Sequence, residues 1–249
     1  MCTLSVFKNN DGTLTITMNR DERHERDELG TLRATDHACY PVDPISNGTW
    51  IGLNAHGLTF ALLNRYQDPH EDTNSQSRGQ IIPALLNAKT LEDAEQRIRT
   101  YPYAATNPFD LIAIDARAII TASWNAKDLT ITKASTAKPF FITSSSIKTQ
   151  EIITHRQTLF NAFSNQDTYT PDHIIHNLHL KRGAENDEAS IFMNRPKTHT
   201  KSLTQITLNT TQTLRYWPTH HLESYRANPI APSDWQQRAI THHQTQAPK

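Results

Sequence analysis

The chain has 249 residues, in which 25 Lys and Arg balance 25 Asp and Glu, with 13 His and only two cysteines, Cys2 and Cys39. Zero net charge excludes the global field that recruits nucleic acid or acidic membranes by charge alone. Mean hydropathy is −0.63, no stretch approaches the roughly 20 apolar residues that span a bilayer, and one disulfide would be sparse for a secreted scaffold. Met1 to Lys8 carries no basic leader and only a short apolar run, so a soluble, cytoplasmic protein with free thiols is expected.

Strands dominate the start. Thr3 to Phe7 is followed by Leu14, Ile16 and Met18 alternating with Thr13, Thr15 and Thr17, the period-2 pattern of a half-buried strand. Asn9-Asn10-Asp11-Gly12 between them is a hairpin turn. Residues 23–48 are polar and contain Pro41 and Pro44, which reads as a long surface loop. A second strand pair, Thr49 to Asn54 and Leu58 to Asn64, turns at Ala55-His56-Gly57. Helices are predicted from Arg78 to Leu86 and from Thr90, whose hydroxyl can cap a segment carrying Leu91, Ala94 and Ile98 and ending before Pro102. Strands return at Leu111 to Ile114, Ile119 to Trp124, Leu129 to Lys133 and Phe140 to Thr143. Two further helices are expected, Thr149 to Phe163 and Thr170 to Lys181, the second with Pro171 in its first turn. Strands at Ser202 to Leu208 and Thr213 to Trp217 complete the pattern. Blocks of strands and helix pairs, without βαβ alternation, indicate an α+β fold with antiparallel sheets. One domain over residues 1–226 and a poorly ordered tail over 227–249 are expected. His155, His173, His176, His179, His220, His221, His242 and His243 sit among polar residues and are expected at the surface.

The hairpin carries a geometric consequence for Cys2. A two-residue loop sets Cys2 opposite Asp21, a three-residue loop opposite Arg20, and a four-residue loop opposite Asn19. Each register delivers Cys2 to Asn19-Arg20-Asp21, at cross-strand spacings of about 4.5–5.5 Å. Cysteine at position 2 also favours excision of Met1, which leaves one residue with both a thiol and a free α-amine. An amine with a pKa of about 7.7–8.0 can accept the thiol proton. Arg20 nearby would favour the thiolate, and Asp21 could orient the amine or Arg20.

Met18-Asn19-Arg20-Asp21-Glu22 after an N-terminal Met-Cys resembles the signature of the NRDE family, which is related to the Transport and Golgi organisation protein 2 family. Further matches, in order, are Gly48-Thr49-Trp50-Ile51-Gly52, Gly57-Leu58 to Leu63-Asn64, Ser77-Arg78-Gly79 and Asn107-Pro108-Phe109-Asp110-Leu111-Ile112. That family is similar to the N-terminal-nucleophile hydrolases, in particular the cysteine branch containing penicillin V acylases and bile salt hydrolases. The resemblance implies a four-layer αββα fold, with Cys2 as nucleophile, Arg20 and Asp21 beside it, and Asn64 as an oxyanion-hole donor. Asn19, Trp50 and Arg78 are expected to contact ligand, with Trp50 as core or pocket wall. The sequence departs from the family in two places. Ser144-Ser145-Ser146 stands where many relatives have Ser-Asn, and a second arginine of the hydrolase branch has only Arg195 and Lys201 as candidates.

The resemblance implies hydrolysis of a non-peptide C–N amide bond in a small acyl or lipid-like molecule through a Cys2 thioester. The alternative is a non-catalytic carrier on the same scaffold, with haem or a lipid-like molecule as cargo, as implied for animal family members. No Cys-x-x-Cys-His or other metal motif is present, so no metal or resident cofactor is expected. His56, in a turn placed next to the site, is the least implausible haem ligand among the histidines.

Overall fold

The Asn9–Thr13 turn fixes the first strand pair. Asn9 N–H donates to the Thr13 carbonyl at 2.8 Å and Gly12 N–H to the Asn9 carbonyl at 2.9 Å. Gly12 adopts φ +84°, a left-handed conformation that costs a residue with a Cβ more than it costs glycine. The result is the three-residue loop, and Cys2–Lys8 (β1) pairs with Leu14–Arg23 (β2) in the register Cys2↔Arg20. The computed structural model describes residues 1–68, 75–166, 168–183, 187–227 and, for backbone alone, 236–240.

The remaining strands are β3 (Leu32–Ala34), β4 (Ala38–Pro41), β5 (Ile51–Asn54), β6 (Thr59–Asn64), β7 (Phe109–Ile114), β8 (Ala118–Trp124), β9 (Leu129–Ser135), β10 (Phe140–Thr143), β11 (Thr198–Leu208), β12 (Gln212–Trp217) and β13 (Gln236–Ile240). They form two antiparallel sheets, ordered β10-β1-β2-β11-β12-β13 and β3-β4-β5-β6-β7-β8-β9. Helices α1 (Ile81–Leu85) and α2 (Leu91–Thr100) cover the second sheet, and α3 (Thr149–Ser164) and α4 (Pro171–Ile174) cover the first; α5 (Thr219–Ala227) follows β12. Three apolar layers hold this stack. Leu4, Val6, Ile16 and Met18 meet Ile51, Leu53, Leu63 and Ile112 between the sheets. Phe60, Leu62 and Leu111 pack on Ile82, Leu85 and Ile98, and Phe7 packs on Phe160, Phe163 and Ile174. The fold is thus the expected α+β arrangement of helices, two antiparallel sheets and helices.

Several expectations change. β2 is buried on both faces: Thr15, Thr17 and Asn19 are as inaccessible as Ile16 and Met18. The polar members of its alternation lie under the α3–α4 layer and not in water, with their groups hydrogen-bonded, as buried polar groups require; Thr17, for example, accepts from Gln205 Nε2 at 3.1 Å. Residues 23–48 are not a continuous surface loop. They supply β3 and the buried β4, in which Pro41 ends the strand and so removes no interior ladder bond. Within the segment expected as a tail, residues 236–240 form β13 against β12; residues 228–235 and 241–249, including His242 and His243, lie outside the described residues. The helix expected at Thr170 is capped as anticipated, with Thr170 Oγ1 accepting from His173 N–H at 3.1 Å. It then passes into a π-helical turn, Ile175–His179.

That turn buries His179, against the surface expectation. Its Nε2 meets Ser5 Oγ at 2.7 Å, and its Nδ1 meets Asn19 Oδ1. Burial pushes its pKa down to about 3, so the folded protein holds it neutral. Between pH 6.5 and about 3 the unfolded chain binds a proton that the folded chain refuses, so stability falls as pH falls through that window. In wild type the passage from pH 7 to pH 5 should remove about 2 kcal/mol through this residue. Urea midpoints for His179→Gln at the two pH values should show that loss missing; an unchanged pH dependence would assign the acid limb to other groups.

Candidate active site

Cys2 begins β1 and faces the layer between the sheets, directly across from Arg20. Its main chain is fixed from the other side by the end of β10. Cys2 N–H donates to Ser144 Oγ at 3.1 Å, and Ser144 N–H donates to the Cys2 carbonyl at 3.0 Å. Ser144 therefore holds the nitrogen that becomes the α-amine when Met1 is absent.

Arg20 is buried but not free. Its guanidinium donates to Asp43 Oδ2 at 3.1 Å and Glu28 Oε1 at 3.4 Å, and lies 4.3 Å from the Trp50 ring centroid. Arg26 also donates to Asp43 Oδ2, at 2.6 Å. Burial works to raise the Asp43 pKa, but the Arg26 hydrogen bond, the Ser46 amide and the two guanidinium charges hold it below the usual carboxylate range. Three of these partners, Arg26, Glu28 and Asp43, come from the segment read as a surface loop. Trp50 is 7% exposed and packs on Arg20 and Tyr216, as a pocket wall would.

Asp21 and Asn19 alternate to the opposite face of β2, beneath α3. Asp21 Oδ1 accepts from Thr200 Oγ1 at 2.7 Å, and its Oδ2 stands 3.7 Å from Arg156 Nη1. Both oxygens point away from the layer that holds the Cys2 side chain. Asn19 has its Oδ1 on His179 and its Nδ2 on the His179 carbonyl at 2.9 Å. Its amide ties β2 to the π-helical turn, a different task from the ligand contact expected of it.

What Asp21 offers the site is its backbone. Met1 N donates to the Asp21 carbonyl at 2.9 Å, and Asp21 N–H donates to the Met1 carbonyl at 2.8 Å. Met1 is 7% exposed; its Sδ lies 3.1 Å from Arg195 Nη1 and 3.2 Å from Ser146 Oγ. Burial opposes the Met1 ammonium charge, but the Tyr66 phenol, the Cys2 thiol, Asp21 and Glu22 raise its pKa to about 10. For Cys2 the balance also suppresses reactivity. Burial pushes the thiol pKa up, the N-terminal ammonium pulls it down, Asp21 pushes it up and Arg20 pulls it down. Arg20 does pull the thiol pKa down, as expected, but with Met1 in place burial outweighs it, and the guanidinium charge is shared with Glu28 and Asp43.

Arg195 settles which of the two basic candidates reaches this place. Its Nη2 donates to Ser145 Oγ at 3.1 Å and its Nε to the Glu188 carbonyl at 2.9 Å. Lys201 instead donates to the His24 carbonyl at 3.0 Å. Asn64, at the end of β6, donates to Tyr66 Oη at 3.1 Å. Arg78 donates to the Pro108 carbonyl at 2.8 Å; burial lowers its pKa while Tyr66, Cys2 and Glu22 raise it. Asn64 and Arg78 are thus linked to the site through Tyr66, a residue the sequence did not single out, which bonds Asn64 and whose charge acts on both Arg78 and the Met1 amine. His56 does not: it lies in the exposed β5–β6 turn, at the opposite end of β6 from Asn64. Six strand residues separate those ends, roughly 20 Å at about 3.3 Å per residue.

The family model for Transport and Golgi organisation 2 matches residues 1–223. No curated protein matches the chain. Among solved structures it is similar to penicillin V acylase from Agrobacterium tumefaciens, with 15% identity over 87% of this chain and 83% of that one and a TM-score of 0.56. An N-acylethanolamine-hydrolyzing acid amidase orthologue from Caenorhabditis elegans gives 12% identity, 82% and 92% coverage and a TM-score of 0.56. The C2A mutant of conjugated bile acid hydrolase from Clostridium perfringens gives 12% identity, 97% and 92% coverage and a TM-score of 0.51. The TM-scores of 0.51–0.56 show that the chain shares the N-terminal-nucleophile hydrolase fold of these structures, and at identities of 12–15% the likeness carries the fold alone. Since its family model spans everything from Met1 through most of α5, the chain belongs to the Transport and Golgi organisation 2 family.

Proposed function

We propose that the protein, once Met1 is removed, hydrolyses a non-peptide C–N amide bond in a small acyl or lipid-like molecule through a thioester on Cys2. The observation that carries this reading is the placement of Cys2: first residue of β1, opposite Arg20, with its nitrogen held by Ser144 Oγ. In the proposed cycle the free α-amine takes the thiol proton as Sγ bonds to the substrate carbonyl carbon. The C–N bond then breaks, with the proton passing from the ammonium to the leaving amine. Water attacks the thioester, releases the carboxylic acid and restores the thiol. Asn64 Nδ2, carried beside Tyr66, is the proposed oxyanion donor, a contribution of about 2.7–4 kcal/mol in comparable sites. Arg20 acts as a positioning residue, since its hydrogen bonds go to Glu28 and Asp43, and Arg78 is the proposed contact for a polar part of the ligand.

The test is a panel of N-acyl amides given to protein beginning at Cys2, with acid quenching and intact mass. An acyl adduct on Cys2 and free amine in solution are expected, and Cys2→Ala should yield neither. Equal amide turnover by Cys2→Ala would overturn the mechanism. Saturable uptake of haem or lipid, undiminished in Cys2→Ala and without any turnover, would instead support a carrier on the same scaffold.

A further inference from the structure

Met1 occupies a space with three distinct sets of partners. Its α-amine donates to the Asp21 carbonyl, its carbonyl accepts from Asp21 N–H, and its Sδ meets Arg195 Nη1 and Ser146 Oγ. In effect Met1 continues β1 by one residue against β2, and a free amino acid, set back from Cys2 so that a contact of about 2.8 Å replaces the peptide bond, could pair with β2 in the same sense. The side-chain end is chemically mismatched. A thioether is a weak acceptor, yet it faces a guanidinium that has no carboxylate within ion-pair distance among the described residues. The nearby Asp21 is already engaged by Thr200 and Arg156. A carboxylate on Arg195 would form the charge-assisted bond that the thioether cannot. Position decides which amino acid fits: Sδ of methionine and the side-chain carboxyl carbon of glutamate are both the third atom out from Cα.

We propose that, in a chain beginning at Cys2, the space filled here by Met1 is a binding subsite for an acidic L-α-amino acid. Its α-amine pairs with the Asp21 carbonyl, its α-carboxylate with Asp21 N–H and the Cys2 ammonium, and its side-chain carboxylate with Arg195 and Ser146. The raised pKa of the Met1 amine, held by the Tyr66, Cys2, Asp21 and Glu22 charges, shows that this position favours an ammonium. The inference rests on the reading that the working chain lacks Met1, but it does not require Cys2 to be a nucleophile. It also narrows the substrate class, to amides or amino acids bearing a free carboxylate at that distance.

Titration calorimetry with L-glutamate and L-methionine tests it, using a Cys2→Ala chain released from a fusion so that residue 2 is first. With no thiol, failure of binding and failure of the hydrolase reading are separate results. L-Glutamate should bind saturably, and L-methionine about tenfold more weakly or worse, for want of the charge-assisted bond. Arg195→Ala should weaken L-glutamate by at least about tenfold. Ser146→Ala, at an exposed position, should weaken it by a few-fold and carries the test if Arg195→Ala does not fold. A chain retaining Met1 should bind neither amino acid. The proposal is overturned if L-glutamate fails to bind, if the Met1-bearing chain binds it equally, or if Ser146→Ala and every folded Arg195 variant leave its affinity unchanged.

Discussion

Removing Met1 should raise the alkylation rate of Cys2 at pH 7 by about tenfold or more over the Met1-bearing protein, and above the rate of Cys39. The thiolate is the reacting species, so each unit by which the thiol pKa falls towards pH 7 multiplies the reactive fraction about tenfold. With Met1 present, Cys2 is 6% exposed and burial pushes its pKa up. Loss of Met1 removes the cover and transfers the positive charge from the Met1 nitrogen to the nitrogen of Cys2 itself, closer to the thiol. Cys39 gains nothing from this event: it lies in β4, 1% exposed, in the apolar layer between the sheets. Iodoacetamide labelling followed by peptide mass, on chains with and without Met1, gives both rates in one experiment. At high pH the ratio of the two Cys2 rates should shrink to the part set by access, because ionisation is then complete in both chains. Equal labelling of Cys2 in the two chains at pH 7 would mean that Met1 does not restrain it, and labelling of Cys39 at the same rate would leave Cys2 without special reactivity.

The sequence revealed local features best. A turn that ends in Gly12 restricts the hairpin to three registers, and the one adopted places Arg20 across from Cys2. Thr90 and Thr170 were legible as caps because capping needs only a hydroxyl followed by a helix-forming run, and both hydroxyls accept as expected. Features that depend on a second layer were hidden. The polar stripe Thr13, Thr15 and Thr17 looked solvated because nothing local says that helices cover it. Glu28 and Asp43 looked like loop residues because their partner, Arg20, is distant in sequence. The spacing of Asn19-Arg20-Asp21 was read as three neighbours of Cys2, although strand alternation allows only Arg20 to share its face; Asn19 and Asp21 turn to the helix layer. Met1 as an occupant of the site was out of reach, since its burial follows from Arg195, Ser146 and the continued β1–β2 ladder together. One signal was available and passed over: Arg156 falls on the same helical stripe as Ile152, Phe160 and Phe163, where a charge among apolar residues marks a buried partner.

Replacing that arginine should have the largest effect on stability. Arg156 is fully buried, and its guanidinium binds three segments at once. Nη1 donates to Thr3 and Thr143 Oγ1, each at 3.0 Å, Nη2 to the Ser190 carbonyl at 2.7 Å, and Nε to the Ala189 carbonyl at 3.2 Å. It therefore joins α3 to β1, to the end of β10 and to the segment before β11, while standing 3.7 Å from Asp21 Oδ2, which has no hydrogen bond among the described residues. Burial lowers the Arg156 pKa and the Asp21 charge raises it, so the pair compensate each other inside the protein. Arg156→Ala strands the Asp21 carboxylate, removes the donor shared by Thr3, Thr143, Ala189 and Ser190 and leaves a cavity, and breaking such a pair from one side costs about 3–5 kcal/mol. Arg156→Lys should recover only part of this, because one ammonium cannot reach acceptors spread around a planar fork. Urea unfolding at pH 7 gives the magnitudes. Adding Asp21→Asn to Arg156→Ala should restore about 1 kcal/mol or more, since a neutral amide in place of the stranded carboxylate removes the largest single penalty. If the double variant is no more stable than Arg156→Ala, the stranded charge is not the source of the loss, and the hydrogen bonds from Arg156 to β1, β10 and the 189–190 carbonyls account for it.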